Sequence, residues 1–182
     1  MTPPAKTPAS SSDDWPDQIF DVLKQSGIRV MGYVPDAGHT HLINRCRTDP
    51  EIEDVVLTTE EEGIGLAAGA WLGGKRSILL MQSSGIGNCI NTFSLQMIAR
   101  FPMVIVVTMR GEYAEFNPWQ IPMGSITEAS LKLCNFQVYR ANAPEEVAEL
   151  VDAAIDMAFN SEIGTAVLLS QKLIGRKKWV RE

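Results

Sequence analysis

The most restrictive feature of this sequence is a nearly continuous apolar run at residues 103–109. A strand with that pattern is typical of a parallel sheet in which helices cover both faces. Shorter runs that also predict strands lie at residues 28–34, 55–57, 77–81, 137–139 and 166–169. We therefore predict an α/β fold with a six-stranded parallel sheet and helices on both of its faces.

Segments in which apolar residues recur at helical spacing alternate with these strands. The first predicted helix ends before Gly27, and the others span residues 40–47, 60–72, 86–100, 125–134 and 145–159. In parallel sheets of this kind, ligands bind at the carboxyl ends of the strands. We therefore expect one shared rim to be formed by the loops at residues 34–40, 58–60, 82–88 and 108–120.

Length and composition indicate a single compact domain. The chain has 182 residues, of which 45% are hydrophobic and 21% are charged, and a chain of that size can bury a sizeable core. We predict a disordered leader at residues 1–14, a folded domain at residues 15–172 and a basic tail at residues 173–182. The tail is interpreted either as a solvated segment or as a docking element.

Charge and cysteine usage argue against several classes of protein. The formal net charge is −6, and the body of the chain has no dense block of Lys and Arg, so nucleic acid is a disfavoured partner. No apolar stretch approaches the roughly 20 residues of a membrane span, and no signal peptide is recognised. Cys46, Cys89 and Cys134 are widely spaced and form no CxxC pair. We predict buried, reduced thiols in a cytoplasmic protein.

Three consecutive carboxylates, Glu60, Glu61 and Glu62, begin one of the predicted helices. Negative charge at a helix N-terminus is favourable, which explains such a cluster without any function. It does not explain the glycines and alanines that follow at residues 63–70, because each glycine costs a helix about 1 kcal/mol relative to alanine. We therefore predict that another backbone or a flat ligand approaches this helix closely.

The segment at residues 82–88 follows a predicted strand directly and contains Gly85 and Gly87. It lacks the lysine of a P-loop and the third glycine of a dinucleotide-binding fingerprint. The backbone amides of such a turn can still face a ligand. We interpret the segment as a tight turn against a group other than phosphate.

The long loop at residues 108–120 is also a candidate, because long loops in compact domains are often functional. Arg110 is interpreted either as a ligand of a carboxylate or sulfonate or as half of a surface salt bridge. His39 and His41 are either anion ligands and general acids or solvated, structural residues. No Ser/His/Asp order and no zinc-ligand spacing stands out. The residues by themselves predict a ligand-binding α/β domain.

Two segments, residues 60–70 and 81–88, together resemble the pyrimidine-binding domain of thiamine-diphosphate enzymes. The likeness is greatest to the sulfopyruvate and phosphonopyruvate decarboxylases, and it extends over residues 17–169. Further residues that support this subgroup are Arg110, Gly111, Asn117, Pro118, Gln120, Met123 and Gly124.

The resemblance implies a set of site residues. Glu60 would hydrogen-bond N1′ of the aminopyrimidine and promote deprotonation of the thiazolium C2, with Glu61 and Glu62 as bystanders. Ile86 would help to keep the cofactor bent. The cofactor contacts implied are Glu60, Val34, Pro35, Gly85, Ile86, Gly87 and Asn88. The substrate contacts suggested are Asp36, His39, Arg110 and Gln120.

The resemblance also implies that this chain lacks one of the family's two cofactor-binding halves. The family's diphosphate-binding half carries a GDG motif and a downstream Asn that hold Mg²⁺ and the diphosphate, and this chain has no GDG motif. We therefore expect no metal site here, a separate β subunit that supplies one, and a cofactor clamped between the two chains.

The expected reaction is decarboxylation of an anionic 2-oxoacid, most simply sulfopyruvate to sulfoacetaldehyde. The alternatives are a phosphonopyruvate decarboxylase, an acetolactate-type carboligase and a non-catalytic regulatory homologue. Asp36 stands where a run containing Cys or Ser is expected. Its charge would repel an anionic substrate unless His39 or Arg110 offsets it.

Overall fold

A computed structural model describes residues 14–175 and contains one six-stranded parallel sheet. The strands are β1 (Ile28–Tyr33), β2 (Glu53–Val56), β3 (Arg76–Gln82), β4 (Met103–Thr108), β5 (Gln137–Ala141) and β6 (Gly164–Leu169). Their order across the sheet is β2-β1-β3-β4-β6-β5, and every neighbouring pair is parallel. The predicted fold class is confirmed.

Helices cover both faces of the sheet. The first layer consists of α1 (Trp15–Gln25), α2 (Thr40–Arg47) and α7 (Pro144–Ser161). The second layer consists of α3 (Glu60–Leu72), α4 (Ser83–Cys89), α5 (Phe93–Ala99) and α6 (Ile121–Leu133). A short helix, α8 (Gln171–Ile174), follows β6. No helix in residues 14–175 is long and apolar enough to cross a membrane.

Strand β4 joins the two hydrophobic cores, and all six of its residues are buried. Because successive side chains of a strand point to opposite faces, Val104 and Val106 pack in the core under the first layer. Ile105 and Val107 pack in the core under the second layer. This two-sided burial is the reason for the continuous apolar run in the sequence.

The structure corrects the predicted helix at residues 86–100. Two helices, α4 and α5, occupy this region, and they are separated by a turn that contains Asn91 and Thr92. Both residue types favour turns because their short polar side chains compete for backbone hydrogen bonds. The tight turn predicted at residues 82–88 is accordingly the body of α4.

Other boundaries shift by less. Helix α6 begins at Ile121 rather than at residue 125, with Pro122 in its first turn, a position where proline costs no hydrogen bond. Cys46 and Cys89 are buried as predicted, whereas Cys134 is only partly buried. The predicted leader lies outside the described residues except for Asp14, and so does the tail beyond Gly175, so these predictions stay predictions.

Candidate active site

The strand order brings residues of all four predicted rim loops together at the carboxyl edge of the sheet, where Glu60, after β2, joins the residues that follow β1, β3 and β4. Strands β1, β3 and β4 are neighbours, so the residues that follow them meet. Asp36 accepts a hydrogen bond from Gln82 Nε2 at 2.9 Å and another from Thr108 Oγ1 at 2.5 Å. A cavity of about 170 Å³ opens here, lined by Val34, Pro35, Asp36, Glu60, Gln82 and Ser84.

The three carboxylates at the start of α3 have different partners. Glu62 accepts a hydrogen bond from the Thr58 backbone N–H at 2.8 Å, and Glu61 accepts one from Thr59 Oγ1 at 2.6 Å. Both therefore stabilise the N-terminus of the helix. Glu60 is the one of the three that lines the cavity. Charge matching at the helix start thus explains two of the carboxylates and leaves the third for another role.

Glu60 is held between α3 and α4. Its Oε2 accepts a hydrogen bond from Asn88 Nδ2 at 2.8 Å. A Cβ atom on Gly85 would lie 2.5 Å from Glu60 Cδ, so any larger residue at this position would displace the carboxylate that packs on it. The two motifs that the sequence set apart, around Glu60 and around Gly85, therefore form one site.

The remaining residues of the α4 motif are divided between core and surface. Gly87 and Asn88 are exposed beside Glu60, whereas Ile86 is completely buried in the core of the second layer. The structure does not bring the Ile86 side chain to the cavity, so its contact with a cofactor stays a prediction.

The small residues of α3 serve two purposes. A Cβ on Gly63 would lie 3.0 Å from Leu57 Cδ1 and from Leu79 Cδ2, so this glycine lets the helix pack closely on the sheet. Gly65 and Gly69 have no atom within 4 Å of an added Cβ and face open space. The predicted close approach within the chain therefore accounts for Gly63 but not for the two exposed glycines.

His39 lies in the core rather than in the cavity. Its side chain has 0% exposure, and Nε2 donates a hydrogen bond to the Val106 carbonyl at 3.1 Å. Burial lowers the pKa of His39, which keeps the imidazole neutral. This position favours the structural interpretation of His39 over contact with substrate. His41 is exposed and pairs with Asp17 at 3.1 Å, away from the cavity.

Arg110 is fixed by an acidic partner in its own loop. Its Nε and Nη2 donate to the two carboxylate oxygens of Glu115 at 2.7 and 2.5 Å. The side chains are only 12% and 2% exposed, so the pair is more buried than the predicted surface salt bridge. The hydrogen bond from Arg110 is the main reason that the pKa of Glu115 falls to about 2.

Arg110 borders a second cavity, on the other side of Asp36. This cavity has a volume of about 230 Å³. Its lining consists of Asp36, Ala37, Gly38, Thr108, Arg110, Gln171, Ile174 and Gly175. Gln120, the last suggested substrate contact, lines neither cavity, and its buried Oε1 has no hydrogen-bond partner among the described residues.

Three polar residues of the rim were missed in the sequence. Gln82 and Thr108 are the last residues of β3 and β4, and both donate to Asp36. Gln171 follows β6, where its Oε1 accepts from the backbone N–H groups of residues 112 and 113. The available signal was a polar residue at the carboxyl end of an apolar strand, where ligands of parallel sheets bind.

Comparison with known proteins agrees with this geometry. The family described as "Thiamine pyrophosphate enzyme, N-terminal TPP binding domain" matches residues 14–122. Sulfopyruvate decarboxylase subunit alpha of Methanococcus maripaludis is 34% identical over 154 residues, which are 84% of this chain and 92% of that protein. Phosphonopyruvate decarboxylase of Streptomyces viridochromogenes is 40% identical over 113 residues, or 61% of this chain and 28% of that protein.

Solved structures show the same fold. Benzoylformate decarboxylase from Polynucleobacter necessarius gives a TM-score of 0.67 over 92% of this chain, at 18% sequence identity. The matched region is 31% of that longer chain. From the family match and the sequence relatives, this chain belongs to the thiamine pyrophosphate enzymes, and among them to the thiamine-dependent decarboxylases.

The residues of the cavity fit the pyrimidine end of that cofactor. A carboxylate at the cavity edge is the group required to exchange a proton with a ring nitrogen. Glu60 supplies it, with Asn88 on Oε2 and with no side chain on Gly85 to fill the space beside it. Val34 and Pro35 add the apolar wall of the cavity.

Proposed function

We propose that this chain is the α subunit of a two-subunit decarboxylase that uses thiamine diphosphate to convert sulfopyruvate to sulfoacetaldehyde and CO₂. The single observation that carries the proposal is the separation of Glu60 from Glu61 and Glu62. Glu60 lines the cavity, whereas its two neighbours serve the helix terminus. The similarity to a protein named as such a subunit supports the choice of substrate.

Each residue of the site has a limited task in this proposal. The bound cofactor supplies the electron sink for decarboxylation. Glu60 exchanges a proton with N1′ of the pyrimidine through Oε1, because Asn88 occupies Oε2. Gly85 leaves room for the carboxylate. The cofactor contacts of this chain are proposed to be Val34, Pro35, Glu60, Gly85, Ile86, Gly87 and Asn88.

We infer a partner surface on the helical layer to which α3, the helix of Glu60, belongs. We use the term apolar face for the exposed hydrophobic side chains of α3, α5 and α6, together with the residue that directly follows α4. They are Leu72, Ile90, Leu95, Met97, Ile98, Ile121, Ile126 and Leu133. Residues 63–74 and 77–99 contain no charged side chain. Because exposed apolar surface that is not scattered singly marks sites of protein association, we infer that this face binds a partner.

The apolar face supports the proposal that a partner subunit binds stably to this chain at the edge that contains Glu60. Gly65 and Gly69, which have open space around them, belong to the same helix as Leu72. A β subunit with a GDG motif would cover this face, hold Mg²⁺ and the diphosphate, and enclose the cofactor against Glu60. The complex is proposed to be cytoplasmic, where the thiols of the chain stay reduced.

The choice of substrate depends on charge. Arg110 already pairs with Glu115, and burial keeps His39 neutral, so neither offsets the charge of Asp36 in this chain. The described lining of the Glu60 cavity also has no cationic side chain, and we propose that the β subunit supplies one there to an anionic substrate. Phosphonopyruvate is the second candidate, because a decarboxylase of that name is 40% identical over 113 residues.

The proposal is tested by expressing the chain together with a GDG-containing partner and measuring CO₂ release with thiamine diphosphate and Mg²⁺. We expect turnover of sulfopyruvate by the mixture and none by either chain alone. Preferred turnover of phosphonopyruvate would change the substrate, and formation of an acetolactate-type product would indicate a carboligase. Ligand binding without turnover of any 2-oxoacid would indicate a regulatory homologue and contradict the proposal.

A further inference from the structure

Asp36 lines the cavity that contains Glu60 and the cavity that contains Arg110, and it also lines a third cavity, with Thr40 and Arg47. Three donors fix its carboxylate. Oδ1 accepts from Gln82 Nε2 at 2.9 Å, and Oδ2 accepts from Thr108 Oγ1 at 2.5 Å and from the Gly38 backbone N–H at 3.2 Å. Both carboxylate oxygens are therefore held from within the chain.

The two side-chain donors stand side by side on the sheet. Gln82 and Thr108 end the neighbouring strands β3 and β4 and are partners in the strand register. The Gln82 amide is itself oriented, because its Oε1 accepts from Ser84 Oγ at 3.1 Å and its Nε2 is thereby directed to Asp36. The position of the carboxylate thus derives from rigid strand ends and not from its own loop.

The loop is also shaped to reach these donors. A Cβ on Gly38 would lie 2.7 Å from Thr108 Cγ2, so only glycine lets the loop come this close to β4. The next residue, the buried His39, anchors the loop to the Val106 carbonyl. Functional groups need such supporting contacts if they are to keep a productive geometry.

Asp36 and Glu60 place two carboxylates in one small cavity whose described lining has no cationic side chain. An unsupported Asp36 would add a mobile negative charge where an anionic 2-oxoacid must bind. Charge-assisted hydrogen bonds are stronger than neutral ones and fix orientation as well as charge. The donors therefore fix the orientation of the Asp36 carboxylate.

We propose that Gln82 and Thr108 are positioning residues, which hold the Asp36 carboxylate at the cavity wall and influence the substrate only through Asp36. This inference rests on the proposed function, because it assumes that a 2-oxoacid enters the Glu60 cavity. It assigns roles to two residues that the sequence analysis did not select.

A double-mutant cycle in the assembled enzyme tests the inference, because residues that act through one another are not additive. Thr108→Val removes the hydroxyl with little change of shape, and we expect it to lower kcat about 10- to 100-fold, the effect of losing a hydrogen bond to a charged group. Asp36→Asn should lower kcat at least as much. The double variant should then be no slower than Asp36→Asn alone, and Thr108→Ser should keep most of the activity.

Thr165→Val is the matched control, because Thr165 is a buried threonine of the same sheet that donates to the Ala154 carbonyl at 3.0 Å. It lies at the start of β6, at the opposite end of the strand from the rim. This variant should lower Tm about as much as Thr108→Val and leave kcat unchanged. If the losses of kcat in Thr108→Val and Asp36→Asn multiply in the double variant, the inference is overturned. An equal loss of kcat in Thr165→Val would overturn it as well.

A readout without catalysis separates this inference from the proposed function. In a crystal structure of the full-length Thr108→Val chain, the Asp36 carboxylate should turn away from its wild-type position, and Gln82→Met should displace it in the same way. An unmoved carboxylate in both variants would refute the positioning role even if the wild-type enzyme is active. A displaced carboxylate together with a wild-type complex that turns over no 2-oxoacid would instead contradict the proposed function.

Discussion

The two helical layers pack on the same sheet but have different outer surfaces. The first layer, α1, α2 and α7, presents charged side chains to solvent, for example in the Lys24–Asp49 and Arg45–Asp17 ion pairs. Met157 is the only large hydrophobic residue exposed on its described helices. In the second layer, Leu72, Ile98 and Leu133 are 87%, 84% and 83% exposed. The outer surface of the first layer is therefore polar and suited to contact with water. The outer surface of the second layer has the apolar composition of a protein interface.

The largest effect is expected from a charge placed on the apolar face. Ile98→Arg should raise the Kd for the β subunit at least about 100-fold, because an unpaired buried charge costs several kcal/mol. The Tm of the free chain should not change, since Ile98 is exposed there. Isothermal titration calorimetry with the β subunit measures the Kd, and a thermal melt of the free chain measures the Tm. Met157→Arg is the control on the opposite layer, and an equal loss of affinity in that variant would contradict the comparison.

Two side-chain truncations, one in the core under the first layer and one on the apolar face, test the same comparison through stability. Leu23→Ala, in the core between α1 and the sheet, should lower the free energy of unfolding by about 2–5 kcal/mol. Leu72→Ala, on the apolar face, should lower that of the free chain by less than about 0.5 kcal/mol. Urea denaturation of the free chain measures both. If Leu72→Ala costs as much as Leu23→Ala, the second layer is not open to solvent.

The Arg110–Glu115 pair, at the rim between the layers, makes a pH-dependent contribution. The folded-state pKa of Glu115 is lowered from 4.5 to about 2, so the stabilisation is complete above pH 4.5 and is lost as pH falls toward 2. Arg110→Gln should cost about 3 kcal/mol at neutral pH, because it removes the positive partner of a buried carboxylate. The unfolding free energies of variant and wild type should converge in acid. If the difference in unfolding free energy stays constant down to pH 2, the ion pair is not the source of the pH-dependent stabilisation.

The smallest expected difference concerns the cysteines inside the two layers. In the folded chain, they should be equally inaccessible to a thiol reagent. Burial raises the pKa of Cys46 in the first layer and of Cys89 in the second to about 12. A thiol reagent at pH 8 should therefore react first with the partly exposed Cys134. All three thiols should react in denaturant. Fast modification of Cys89 in the native chain would indicate that the second layer opens.

Much of the fold was predictable because each layer leaves a periodic pattern. The run at residues 103–109 identified β4, since burial on both faces requires continuous apolar residues. Helices α2 and α3 have the predicted bounds. The division of residues 83–99 into two helices was not predicted, because this segment is apolar on nearly every side and its period carries little information.

The site was predictable only in part. The sequence placed Glu60 and Gly85 at the rim because both follow strands, but only the family resemblance, and not the residue pattern, selected Glu60 over Glu61. That distinction depends on which carboxylate Asn88 and the cavity meet in three dimensions. The pairing of Arg110 with Glu115 and the burial of His39 depend on how each loop closes on the sheet, which residue spacing does not determine.

The most direct test of the account compares Glu60→Gln with Glu61→Gln in the assembled complex, by the initial rate of CO₂ release from sulfopyruvate. The two variants remove the same charge from adjacent positions of one helix. Glu60→Gln should lower kcat about 10²- to 10⁴-fold, the contribution of a positioned proton-transfer group, and Glu61→Gln should stay close to wild type. Full activity in Glu60→Gln, or an equal loss in Glu61→Gln, would contradict the assignment of Glu60.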